Sequence, residues 1–249
     1  MLNYFYARLL RGDEQLVTVC EAQADYWARV YRINRGRFKT VYNGVDTTYF
    51  TQCPAGFNRS KFRRTLGISG DAPVIAQVAA FRKEKKHEDA VRALAIFNKA
   101  ATNKAYLLFV GGGDPHIREA VERLVKQLHV SQYVKFCGSQ KDVRPYYWIS
   151  DLFTLSSNAI ETFSVAGLEA MACGLPCVLT DQGGAREMIQ NGVNGFVVPS
   201  SMPEKLADAW ARCLNGQLTG SSTRIRDVVL NNFTLDRCVR AYEELLTST

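Results

Sequence analysis

From Ala72 onward, short apolar runs alternate with stretches of helical period. The runs Val74–Ala79, Tyr106–Val110, Val134–Cys137, Asp151–Leu155, Cys177–Thr180 and Phe196–Val198 predict strands. Between them lie amphipathic segments. In the clearest, Ile117, Ala120, Val121, Leu124, Val125 and Leu128 follow the i, i+3, i+4 pattern with charges between them. A helix before it runs to about Lys99, with Val91, Leu94, Ala95 and Phe97 inward. Further helices are expected over Lys141–Ile149 despite Pro145, Val165–Cys173, Ala185–Gln190 and Thr234–Leu246. Ser201-x-x-Glu204, with Pro203 early, reads as a capping box opening a helix to about Leu214. Gly216–Ser222 reads as flexible. Strands alternating with helices across short loops predict an α/β fold, a doubly wound, Rossmann-like parallel sheet with right-handed crossovers. A ligand then lies outside the carboxyl ends of the strands. The loops to watch are Ala80–Glu88, Gly111–Asp114, Gly138–Asp142, Ser156–Val165 and Asp181–Arg186.

The first quarter has a different rhythm. Leu16–Val19 and Phe38–Tyr42 predict strands, the second ending at the turn Asn43-Gly44. Thr18 and Glu21 form a capping-box pattern for a helix through Tyr31. A lone strand–helix–strand piece cannot bury its own faces. Residues 1–50 are therefore expected to be a remnant of an N-terminal domain. Residues 51–71 form a linker with one short helix candidate, Lys61–Leu66, and residues 72–249 form the main domain. The start, MLNYFYARLLRGDEQ, lacks the long apolar stretch and small-residue cleavage site of a signal peptide.

Composition narrows the class. With 47% hydrophobic and 22% charged residues over 249, this is ordinary globular material. No run approaches the ~20 apolar residues of a membrane span. The net charge of +7 is uneven, since residues 1–64 hold 11 Lys/Arg against 5 Asp/Glu. A solvated face explains that excess most simply; an anionic membrane surface or nucleic acid is the alternative. The seven cysteines form no CxxC pair and read as reduced, mostly core thiols of a cytoplasmic protein. His87, His116 and His129 have no metal-ligand spacing.

Candidate chemistry concentrates in Ser156–Glu169, SSNAIETFSVAGLE. Glu161 sits in a polar loop and Glu169 in the second turn of the helix that follows. With a helix start near Ser164, Glu169 lies ~7.5 Å further along its axis. The free N–H groups of that helix start suit a phosphate. Carboxylates on either side suit hydroxylated groups, the form of a sugar nucleotide. Glu169 is flanked by apolar residues, so it either bonds to backbone groups or accepts both hydroxyls of a ribose. In the basic loop Arg82–Lys86, Lys85 could neutralise phosphate without a metal; a solvated face is the alternative. Gly111-Gly112-Gly113-Asp114 is not GxGxxG and equally suits a tight turn. Gly183-Gly184 allows close backbone approach to a ligand or a tight turn.

Together the stretches VYNGVDTTYF, AAFRKEKKHEDAVRAL, LLFVGGGD, VKFCGSQKDVRPYYWISDLFTLSS, ETFSVAGLEAMACGLPCVLTDQGGAREMI and NGVNGFVV resemble the retaining GT-B glycosyltransferases of family 4, over roughly residues 16–246. The resemblance implies two Rossmann-like domains facing across a cleft, the C-terminal one holding a nucleotide-sugar donor and the N-terminal one the acceptor. It gives Glu169 the donor ribose and Glu161 the transferred sugar. It places backbone N–H groups around Thr162, Phe163, Ser164 and Val165 on the diphosphate or sugar, and the base near Gly138–Val143. In the family pattern G-R-x-x-x-E-K, Lys85 fits but the Arg position reads Ala80; Arg82 lies two residues later and ranks below Lys85. The implied reaction is hexosyl transfer from a UDP- or GDP-sugar to a glycan or lipid-linked acceptor, as in polysaccharide or lipopolysaccharide biosynthesis. No cofactor, metal or nucleic acid is implied. With the acceptor domain essentially missing, the chain reads as a fragment, a truncated product, or a donor-binding half that needs an acceptor-domain partner chain, and peripheral contact at the cytoplasmic membrane face is compatible with it. A non-catalytic sugar-nucleotide-binding or assembly subunit and a sugar-nucleotide 2-epimerase are the competing readings.

Overall fold

A computed structural model describes residues 14–159 and 161–247. The domain assignment for residues 1–50 therefore lies partly outside the described residues. Six strands form one sheet: β3 (Val74–Val78), β4 (Tyr106–Val110), β5 (Val134–Gly138), β6 (Leu152–Leu155), β7 (Cys177–Thr180) and β8 (Gly195–Val198). Their order is β5-β4-β3-β6-β7-β8, and every pairing is parallel. The central strands are buried along their length, as expected for a sheet covered on both faces. A separate parallel pair joins β1 (Leu16–Thr18) to β2 (Phe38–Thr40), connected through α1 (Glu21–Tyr31).

Helices cover the main sheet on two sides. On one lie α3 (His87–Ala100), α4 (Pro115–Gln127) and α8 (Pro203–Leu214), with Leu94, Phe97, Val121 and the fully buried Trp210 packed on Leu107 and Phe109. On the other lie α5 (Arg144–Ile149), α6 (Val165–Ala172), the short α7 (Ala185–Met188) and α9 (Ser222–Asn232), around Tyr147, Phe153, Leu168 and Val229. A small satellite core forms where α2 (Arg59–Thr65) meets α5, with Phe62 against Tyr146. The last element, α10 (Leu235–Thr247), has no buried residue; Leu235, Val239, Tyr242 and Leu246 are all exposed. Among the described residues, no helix is long and apolar enough to cross a membrane.

The segment between β2 and α2 is fastened to the main domain. Val45 pairs with the α9–α10 junction, accepting from Leu235 N and donating to Phe233 O. Gly44 allows this: a Cβ there would meet Thr234 O at 2.4 Å. Arg226 donates to the carbonyls of Thr47 and Phe50, each at 2.7 Å, and to Ala172 O.

Several local expectations are corrected. Neither capping box forms. Helix α1 has no side-chain cap of its own; Glu187 on α7 accepts from Glu21 N and Ala22 N at 2.9 Å each, while Thr18 faces Thr40. Met202, not Ser201, is the N-cap of α8, and Ser201 takes φ +56. Ala120 faces solvent. Ser222, expected at the end of a flexible tract, opens α9, whose buried positions Ile225 and Val229 are four apart.

Candidate functional site

Strand order reverses between β3 and β6. The chain leaves β3 for β4 on one side, then returns to place β6 on the other. Such a gap opens a crevice at the carboxyl edge, where doubly wound sheets bind ligands. The loop after β3 carries Lys85 in a tight turn, Lys83–Lys85; the loop after β6 carries Glu161. The two side chains meet there, Lys85 Nζ donating to Glu161 Oε2 at 2.5 Å, and are 19% and 16% exposed.

Buried polar groups hold these loops together. Gln77 is the polar residue of the otherwise apolar β3 and is fully buried. Its Nε2 donates to Lys85 O at 3.3 Å. The Ser156 hydroxyl lies 3.2 Å from Gln77 Oε1, 3.0 Å from Lys85 O and 2.8 Å from Lys86 O. Asn158 N donates to Glu84 O, Ser157 Oγ to Glu161 Oε2, and Thr180 Oγ1 to Ser157 O. The position of Lys85 and Glu161 is thus set by backbone carbonyls tied to the sheet.

The Glu161–Val165 turn is clamped from below. Gly183, at φ +52, packs so closely that a Cβ would sit 2.1 Å from Glu161 O. Gly184 N donates to Thr162 O at 2.7 Å, and Cys20 Sγ donates to the same carbonyl. The glycine pair thus admits the site loop itself. Phe163 is buried against Tyr42 and Phe233, and its carbonyl accepts from Asn43. Thr162 is exposed. Ser164 is the N-cap of α6, its Oγ accepting from Gly167 N at 3.0 Å. The N–H groups of Val165 and Ala166 precede the first intrahelical bond, Leu168 N to Ser164 O.

Glu169 lies one turn along α6, half-buried. Tyr147 O–H on α5 donates to its Oε2 at 2.8 Å. Burial raises the carboxyl above its usual range, and the Tyr147 hydrogen bond opposes that. The Tyr147 phenol itself is held well above its usual range, chiefly by burial and then by the Glu169 charge.

The remaining candidates lie around this edge. Arg82 is exposed, with no side-chain partner among the described residues. Gly138 ends β5 at φ +67, its carbonyl accepting from Gly111 N, and a Cβ there would meet nothing within 4 Å. Val143 is the N-cap of α5, the helix that carries Tyr147. Gly111 and Gly113 pack against the Ala79–Phe81 backbone, so the triple glycine is a loop-to-loop contact. His87 opens α3 fully buried, stacked on Phe81 at 4.2 Å, with neither ring nitrogen hydrogen-bonded. Burial pushes its pKa down to about 4. Among the described residues, no His/Cys/Asp/Glu group could hold a metal ion.

A cavity of about 730 Å³ lies elsewhere. It lies between α3 and α8, near Pro73 and Asn103, at the amino ends of the strands. Among the described residues its charged lining is Glu204 and Asp208, which would repel a diphosphate.

Sequence reasoning did not single out Tyr147, Gln77 or Glu187. Gln77 carried a signal, a polar residue inside an apolar strand. Tyr147 and Glu187 carried none, because their partners are distant in sequence.

The family model described as "Glycosyl transferases group 1" matches residues 58–227. N-acetyl-alpha-D-glucosaminyl L-malate synthase of Bacillus anthracis is 33% identical over 211 residues, covering 83% of this chain and 52% of that protein. D-inositol 3-phosphate glycosyltransferase of Actinosynnema mirum is 29% identical, covering 80% and 48%. A glycosyltransferase structure from Rickettsia africae ESF-5 superposes with a TM-score of 0.85 at 26% identity, covering 98% of this chain and 65% of that one. The chain spans about half the length of the curated relatives it matches.

Proposed function

Because this chain belongs to the glycosyl transferases group 1 family, we propose that its carboxyl-edge crevice binds a nucleotide-diphosphate sugar and that the chain is the donor-binding half of a retaining, family 4 GT-B hexosyltransferase. The convergence of Lys85 and Glu161 at the strand-order reversal, beside the start of α6, carries the reading. Glu169 accepts the ribose hydroxyls. The N–H groups of Val165 and Ala166 and the positive end of α6 take the diphosphate. Lys85 adds a full positive charge there, so that no metal is called on. Departure of the diphosphate leaves an oxocarbenium-like sugar beside Glu161, and these fixed charges stabilise the leaving group. The base lies toward Gly138 and Val143, with Arg82 at the rim.

The acceptor, a glycan or lipid-linked sugar, and the residues that bind it belong to a further domain or partner chain. The B. anthracis relative is named N-acetyl-alpha-D-glucosaminyl L-malate synthase, so L-malate belongs in the assay panel. Calorimetry with UDP, GDP and ADP tests the binding claim. One of them should bind, and Glu169→Ala should weaken it about tenfold with the fold intact. Unchanged affinity in Glu169→Ala would remove the ribose role, and no binding by any of the three would remove the donor site.

A further inference from the structure

Tyr147 is fully buried in α5, its ring between Phe50 at 6.3 Å and Phe153 at 6.1 Å. Its hydroxyl meets two acceptors on α6, Glu169 Oε2 at 2.8 Å and Ala166 O at 3.3 Å. We propose that Tyr147 is a positioning residue that orients the Glu169 carboxylate for the hydroxyls of the donor ribose. This rests on the ribose role proposed above.

The surroundings support a purpose beyond packing. Phe153, Leu168, Ala170, Met171 and Cys173 make this an apolar cluster. A buried phenol bonded to a half-buried carboxylate there gains little stability over an apolar pair of the same shape. The geometry does something an apolar pair cannot. The single phenolic proton fixes Oε2, and a carboxylate has about four acceptor positions, so Oε1 and the second lone pair of Oε2 remain for two hydroxyls. The bond also joins two helices that serve different parts of the ligand. Helix α5 starts at Val143, on the base side, and α6 starts at the proposed diphosphate position. The contact with Phe50 extends the connection to the segment that Arg226 fastens down.

The test compares two ligands on one protein. UDP, GDP and ADP are titrated calorimetrically, and the 2′,3′-dideoxy form of the tightest is titrated beside it. The native chain should prefer the ribonucleotide. Tyr147→Phe should lower that preference about tenfold, the loss of one hydrogen bond to a charged group. Affinity for the dideoxy form should stay within about twofold, which a general loosening of the site would not allow. Glu169→Gln should lose the preference as well. If Tyr147→Phe keeps the preference that Glu169→Gln loses, the positioning role is overturned and the ribose role stands. If Glu169→Gln keeps it, both are overturned, as they are if no nucleotide binds. A 3-fluorotyrosine at position 147 gives a readout independent of the Phe variant. Its ¹⁹F resonance should move with the ribonucleotide and not with the dideoxy form; equal shifts would overturn the proposal.

Discussion

Lys85 and Glu161 neutralise each other across the crevice, though each is proposed to act on a different part of the donor. A diphosphate must draw the ammonium away from the carboxylate. Glu161→Gln should therefore raise affinity for UDP or GDP severalfold, and Lys85→Met should lower it about tenfold, both read by calorimetry. His87 supplies a test through stability. Buried neutral in the native state at about 4, it binds a proton in the unfolded chain near pH 6.5. Its contribution is complete above pH 6.5 and is lost as pH falls from there toward 4. Urea unfolding should show about 2 kcal/mol less stability at pH 5 than at pH 8, a difference that His87→Phe should largely remove. Lys85 and Glu161 stood out in the sequence because each lies in a loop after a predicted strand, and the fold brings the two side chains together. Sequence reasoning could not find Tyr147, whose importance is a contact made by folding.

Element boundaries followed the apolar pattern closely from β3 to α8, since burial on both faces leaves a legible run for every strand. Capping was read less well, because tertiary contacts overrode local signals. Glu187 reaches the α1 N-terminus from α7, a partner 166 residues away. The helix α9 was hidden by the Gly- and Ser-rich stretch before it, with only Ile225 and Val229 buried. The loop after β7 makes the strongest element-scale prediction. Gly183→Ala places a methyl against the Glu161 and Thr162 carbonyls and requires a positive φ. It should cost about 2–4 kcal/mol in urea unfolding and weaken nucleotide binding, because the site loop must move. Arg226→Ala should cost a similar amount by freeing three carbonyls, while leaving the affinity for nucleotide less affected.

At the scale of the molecule, a six-stranded doubly wound sheet is joined by a two-stranded β1–α1–β2 unit and by an α10 with no buried side chain. Parallel order and right-handed crossovers made the sheet readable in advance. We expect the crevice at the carboxyl edge to bind a nucleotide sugar. The location of binding is the central claim, and amide hydrogen exchange with and without saturating UDP or GDP tests it most directly. Protection should rise in Ala79–Lys86 and Ser156–Glu169, the two loops that meet at the strand reversal. Protection confined to the groove between α3 and α8, or absent from both loops, would contradict the account.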